Sequence, residues 1–254
     1  MNVLPIHDLD WDSLFFQQKM GKIAIDPAAD PSCFAEAAWR LTLNSARRQQ
    51  YRYLFCEFDA AYKRIGHLLA GCGGSLGDVL VTLERDLNGF EPSGADFPVV
   101  PAVEEDLPEI IAMAADSFEH SRFFHDSRFD PAKVRQLYPQ WVSNAFAGAE
   151  QFHVIKKIGK IQAFLSVQEN AADQALIIRL LAVAGQWRGM GLGQTLLDWA
   201  ADFAWERGLS AIRVGTQVNN YPAIRLYEKN RFRTIRALLR YHFWLEEQAS
   251  APTI

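Results

Sequence analysis

The chain has 254 residues, 49% hydrophobic, 22% charged and 12% aromatic, with 26 Lys and Arg against 30 Asp and Glu. This is enough apolar material for a real core in one large domain or two small ones, and it excludes a disordered chain. The absence of a basic excess gives nucleic-acid binding no support, and no apolar run approaches the roughly 18–20 residues that span a bilayer.

The opening MNVLPIHDLDWDSLFF carries acids where a signal peptide needs a basic start and an apolar stretch, which points to a cytoplasmic protein. Cys33, Cys56 and Cys72 form no disulfide framework and show no metal-ligand spacing. They read as small buried hydrophobes in a reducing compartment, and no metal is expected.

In chain order, apolar alternation or runs at Lys22–Ile25, Tyr51–Phe58 and Leu76–Leu83 predict strands, with helices over Pro31–Arg47 and Ala60–Ala70. The first helix opens on Asp30-Pro31, a cap followed by a first-turn proline, and the second stops at Gly71-Cys72-Gly73-Gly74. GFEPSGADFP, Gly89 to Pro98, reads as a linker. A small α+β domain over residues 1–96 follows, with a second domain over 97–254.

Beyond the linker, Phe97–Val103 is a short strand and Asp106–Phe118 a helix with an acidic cap. Pro131–Ala147 is a helix that places Val134, Leu137, Tyr138, Trp141 and Ala145 on one face. Phe152–Lys157 and Lys160–Gln168 form a hairpin about Gly159. Leu176–Ala184 is an apolar strand interrupted only by Arg179. A glycine-rich loop, Gly185–Gly193, leads into the helix Gln194–Arg207, closed by Gly208. Ala211–Thr216, Tyr221–Asn230 and Phe232–Leu245 then read as strand, helix and one or two final strands. The class is α/β (α+β).

The loop is the most informative stretch. A buried strand runs into glycines and directly into a helix, whose first N–H groups lack intrahelical partners and suit a phosphate. The Walker pattern fails, because Gly193-Gln194-Thr195 has no lysine, and the G-x-G-x-x-G fingerprint fails on spacing. Arg188-Gly189-Met190-Gly191-Leu192-Gly193 does match Arg/Gln-x-x-Gly-x-Gly/Ala, which resembles the coenzyme A loop of the GNAT acyltransferase superfamily. A second stretch, Asn220 to Phe232, is similar to that superfamily's N-x-x-A-x-x-L-Y-E-x-x-G-F signature, with Asn230-Arg231 in place of the residue-plus-glycine; Asn230 is expected to close the helix. The resemblance implies a GNAT acyl-CoA N-acyltransferase fold, preceded by a smaller α+β domain that shapes the acceptor cleft.

The same resemblance implies the site. Acetyl-CoA, as co-substrate, would lay its pyrophosphate on Arg188, Gly189, Met190, Gly191, Leu192, Gly193 and Gln194. Its pantetheine arm would run along Leu181, Ala182 and Val183, with Asn220 and Arg225 as further contacts. Tyr227 would act as general acid toward the departing thiolate, since a phenol with a pKa near 10 is protonated at neutral pH. The base is sought among Glu84, Glu119, Asp126 and a water relay, with Glu84 preferred because its strand is expected to border the acceptor cleft.

A closer likeness concerns the acceptor. Trp11–Ile23, Leu54–Leu87, Ser117–Gly148 and Arg240–Leu245 resemble the dTDP-fucosamine acetyltransferase family over nearly the whole chain. That family acetylates the 4-amino group of dTDP-4-amino-4,6-dideoxy-D-galactose for surface polysaccharide such as enterobacterial common antigen. The implied partner is a nucleotide-sugar amine, and a homodimer is carried over. Arg122 and Arg128 are expected to neutralise a diphosphate, with Phe123, Phe124 and Tyr138 stacking on base or sugar. Tyr138 and Trp141 also suit a core, and His125 suits a loop residue outside the chemistry. The competing readings are a GNAT enzyme for another amino-sugar nucleotide or small amine, and a non-catalytic acyl-CoA-binding module.

Overall fold

The structure is a computed structural model that describes residues 3–25, 35–62 and 65–245. Its backbone contacts divide the chain into two compact units, residues 1–80 with 236–254, and residues 81–235. This differs from the linear division at 96/97, because the C-terminal strand returns to the first unit.

In the first unit, β1 (Ile6–Asp8) pairs antiparallel with β2 (Met20–Ile23) after the short helix α1 (Asp10–Phe16). β2 runs parallel to β3 (Tyr53–Asp59), and β3 pairs antiparallel with the last strand, β10 (Arg233–Trp244). β10 is a single strand, and its other neighbour is β4 (Ser75–Asp86). The helices α2 (Glu36–Arg48) and α3 (Ile65–Gly71) supply Trp39, Leu43, Ile65 and Leu69 to a core with Cys56, Phe58, Tyr241 and Phe243. Trp39 is fully buried and stacks on Phe243 at 6.0 Å between centroids. The Asp30-Pro31 cap and Cys33 lie outside the described residues; Cys56 and Cys72 are free thiols.

Side chains alternate across a strand, so Glu57 lies on the face opposite Cys56 and Phe58. There it meets cations from the strands on both sides. Lys22 Nζ is 2.8 Å from Glu57 Oε2, Arg240 Nε is 2.8 Å from Oε1, and Arg240 also reaches Asp78 at 3.7 Å. Burial pushes the Glu57 carboxyl up, but Arg240 and Lys22 outweigh it and hold the group below its ordinary value.

In the second unit the strand order is β4, β9 (Ala211–Gln217), β8 (Ala175–Val183), β7 (Lys160–Asn170), β6 (Gln151–Lys157), β5 (Val99–Pro101). β5 to β8 are antiparallel neighbours, whereas β8 and β9 are parallel. A parallel pair needs a crossover, which α6 (Leu192–Glu206) provides. The helices α4 (Leu107–Ala115) and α5 (Pro131–Phe146) bury Ile110, Met113 and Val142 against Phe152, Val154, Phe164, Leu180 and Ala182. His153, between Phe152 and Val154, points to the other face and packs, tilted, on Trp199 of α6 at 4.3 Å. The final helix is α7 (Tyr221–Lys229). Among the described residues, no helix is long and apolar enough to cross a membrane and no His, Cys, Asp and Glu cluster could hold a metal ion.

Candidate active site

β8 and β9 are hydrogen-bonded only from Ala175↔Ala211 to Ile178↔Val214. Both strands continue, β8 to Val183 and β9 to Gln217, so Arg179–Val183 and Gly215–Gln217 run on without pairing to each other. β8 stays anchored on its far side, where Leu181, Ala182 and Val183 pair with Leu165, Phe164 and Ala163 of β7. One edge of Leu181–Val183 is therefore open, and an extended chain can add to it as a strand would.

The loop follows at this opening. Gly189 has φ of 79° and Gly191, the N-cap of α6, has φ of 85°, both in the left-handed region where a side chain is strained. Gly193 is small for a different reason: a Cβ there would lie 3.0 Å from Leu226 of α7. Arg188 folds back so that its Nε donates to the Val183 carbonyl at 3.1 Å, fixing loop to strand. The first-turn N–H groups of a helix lack intrahelical partners, which suits an anion at the start of α6. Met190 is exposed, and Gln194 donates to Asp198 at 2.8 Å and also to Asn230.

At the end of β9, Asn220 caps α7: its Oδ1 accepts from the Ala223 N–H at 3.4 Å, while its Nδ2 donates to Thr216 Oγ1 at 3.0 Å. Tyr227 lies on the inner face of α7, with its ring 5.6 Å from Phe232. Burial pushes its phenol well above the ordinary value. Asn230 closes the helix as its C-cap, and the left-handed residue follows it. Asn230 is buried with φ of −95° and donates to the Leu226 carbonyl at 2.8 Å, while Arg231 takes the left-handed turn with φ of 64°.

An open strand edge followed by a glycine-bordered helix start and a buried helix tyrosine agrees with what comparison finds. Residues 105–232 match the Acetyltransferase (GNAT) family. The chain belongs to the GNAT acetyltransferase family. It is similar to dTDP-fucosamine acetyltransferase of Escherichia coli O6:H1, 33% identical over 61% of this chain and 65% of that protein, so it spans just under two thirds of that relative's length. It is also similar to the spore coat polysaccharide biosynthesis protein SpsD of Bacillus subtilis, 27% identical over 97% of this chain and 85% of that one. Among solved structures, a GCN5-related N-acetyltransferase from Kribbella flavida superimposes with a TM-score of 0.62, 17% identity and coverage of 96% and 88%.

Within this GNAT frame the residues expected at the site fall into three groups. Leu181–Val183, Arg188–Gln194, Asn220 and Tyr227 lie on β8, on the loop into α6, at the cap of α7 and on the inner face of α7, and Arg225 lies exposed on α7. Glu84 does not join them. β4 meets β9 with Leu87 N–H bonded to Ser210 at 2.8 Å, which sets Glu84 beside the paired start of β9. There Arg213 Nε donates to it at 2.6 Å, and Arg213 also binds Asp173 at 2.7 Å. The base role expected for Glu84 does not fit this placement: its carboxylate braces the closed end of β8 and β9. Asp126 is likewise engaged, bound by Arg128 Nε and Nη2 at 2.8 and 2.9 Å, and Glu119 is exposed.

The acceptor-side aromatics are also redistributed. Phe123 is buried edge-to-face on Phe129 at 5.0 Å, with the Arg122 guanidinium over its ring, so it stabilises its own loop and is not offered for stacking on an acceptor. Tyr138 packs between Phe118 at 4.8 Å and Trp141 at 5.5 Å on the α4–α5 core. His125 Nε2 lies 3.4 Å from Asn219 Nδ2, which brings the 117–130 segment beside the turn after β9. Two further positions take part. Thr216 fixes Asn220 and carries no sequence signal, whereas Arg179, a charge inside an apolar strand, was visible.

Proposed function

We propose that this GNAT protein is an acyl-CoA-dependent N-acetyltransferase that moves acetyl from acetyl-CoA to the 4-amino group of a nucleotide-linked 4-amino-4,6-dideoxyhexose of the dTDP-fucosamine kind. The observation that carries the reading is the opening of β8 from β9 beside the loop Arg188–Gln194. The sugar assignment draws on relatives whose names specify a dTDP-fucosamine acetyltransferase and a spore coat polysaccharide biosynthesis protein.

The residues present fit acetyl-CoA. Gly189 and Gly191 have open space where a Cβ would be, so a diphosphate can approach the backbone and the start of α6. The free edge of Leu181–Val183 takes the pantetheine amides, and a strand N–H there polarises the thioester carbonyl. Acetyl-CoA supplies an activated acyl group. The neutral amine of the acceptor attacks the carbonyl carbon directly, the C–S bond breaks, and the Tyr227 hydroxyl gives its proton to the departing sulfur. The amine loses its proton to a water relay, since Glu84 is held by Arg213. No covalent enzyme intermediate is needed. In this reading the protein works in the cytoplasm as a homodimer and feeds surface-polysaccharide assembly.

The test is a panel of amino-sugar nucleotides with acetyl-CoA, with products identified by NMR. The expected product is the 4-acetamido sugar from dTDP-4-amino-4,6-dideoxygalactose. Acetylation of a peptide or small amine, with every nucleotide sugar left unchanged, would overturn the assignment.

A further inference from the structure

Arg179 is the one charged residue in β8, and it sits where that strand changes character. Ile178 is the last β8 residue paired with β9, so Arg179 is the first beyond the pairing. On the other side Val167 pairs with Ile178 and Ser166 with Leu180, which leaves Arg179 as the extra residue of a β-bulge. Bulges re-aim side chains and are frequent beside active sites.

Here the side chain is aimed at α5. The guanidinium carbon lies 5.7 Å from the centre of the Trp141 ring, and Trp141 in turn stacks on Tyr138 at 5.5 Å, which contacts Phe118 at 4.8 Å. Arg179 Nε faces Glu150 Oε1 at 3.5 Å, and Glu150 is held from behind by the buried Ser166 hydroxyl at 2.9 Å. Among the described residues, neither Nη group of Arg179 has a hydrogen-bond partner, and 40% of the side chain is exposed. A flat, partly exposed guanidinium held on an aromatic ring is preorganised for a phosphate, because little rotamer freedom remains to be lost.

We propose that Arg179 is the anion-recognising residue of the acceptor site, taking a phosphate of a nucleoside diphosphate on its Nη groups. The proposal rests on the nucleotide-sugar reading for the identity of the acceptor, but binding can be read without turnover. The probe is thymidine diphosphate, which carries no amine, measured by calorimetry with CoA saturating so that the loop at α6 is filled. Charge-assisted hydrogen bonds of this kind change affinity by about 10-fold or more. R179Q is expected to weaken thymidine diphosphate by that factor and to raise the acceptor KM equally. The acetyl-CoA KM stays within experimental error, and R179K recovers part of the loss. Wild-type affinity in R179Q, or no thymidine diphosphate binding by the wild type, overturns the proposal. Binding that depends on Arg179 in a protein that acetylates no nucleotide sugar would instead refute the proposed reaction and leave the anion site standing.

Discussion

Tyr227 is buried against Phe232, and its phenol is held protonated by removal from water, the condition an acid needs at neutral pH. Tyr227→Phe keeps the ring and deletes the proton. It is expected to lower kcat about 10²-fold or more with acetyl-CoA binding unchanged, as read by steady-state kinetics and calorimetry. His153 offers a stability test on the same scale. Burial lowers its imidazole from about 6.5 to about 4, between Trp199 and Phe203. The unfolded chain therefore binds the extra proton first as pH falls, and stability drops between about pH 6.5 and 4. Denaturant melts across that window should show the loss, and His153→Phe should flatten it.

At the element scale, the long periodic segments were legible because burial on one face imposes a repeat. The β6–β7 hairpin, β8, α6, β9 and α7 all lie within one or two residues of their sequence-based bounds. β1 and α1 were not, since a three-residue strand and a seven-residue helix hold too little periodicity to register. Glu84 is a related case: its strand is readable, but which end of β9 it meets depends on pairing between distant segments. The loop was legible because its glycines are required by backbone geometry. Gly191→Ala puts a side chain at φ of 85° at the N-cap of α6. It should cost about 1 kcal/mol or more in stability and weaken CoA binding, measured by thermal melts and calorimetry. The helix end at Asn230 was legible, and the left-handed turn falls at Arg231, the position where the pattern has glycine.

At the scale of the molecule, the first unit is discontinuous, because β10 completes its sheet from the far end of the chain. Within that unit Glu57 ties β2, β3 and β10 together through Lys22 and Arg240. Glu57→Gln leaves two cations facing a neutral amide, and unfolding free energy should fall by about 3 kcal/mol in denaturant titration. The same carboxyl, held below its ordinary value, contributes stability above the carboxylate range that is lost as pH falls through its lowered pKa. The mild net charge of −4 is compatible with an anionic acceptor, because a few placed groups such as Arg179 suffice for recognition. The central claim is acetyl transfer to a nucleotide-sugar amine, and the most direct measurement is CoA release from acetyl-CoA with and without dTDP-4-amino-4,6-dideoxygalactose. Saturable release that requires the sugar and collapses in Tyr227→Phe is the predicted result; release no faster than background with every amino-sugar nucleotide would contradict it.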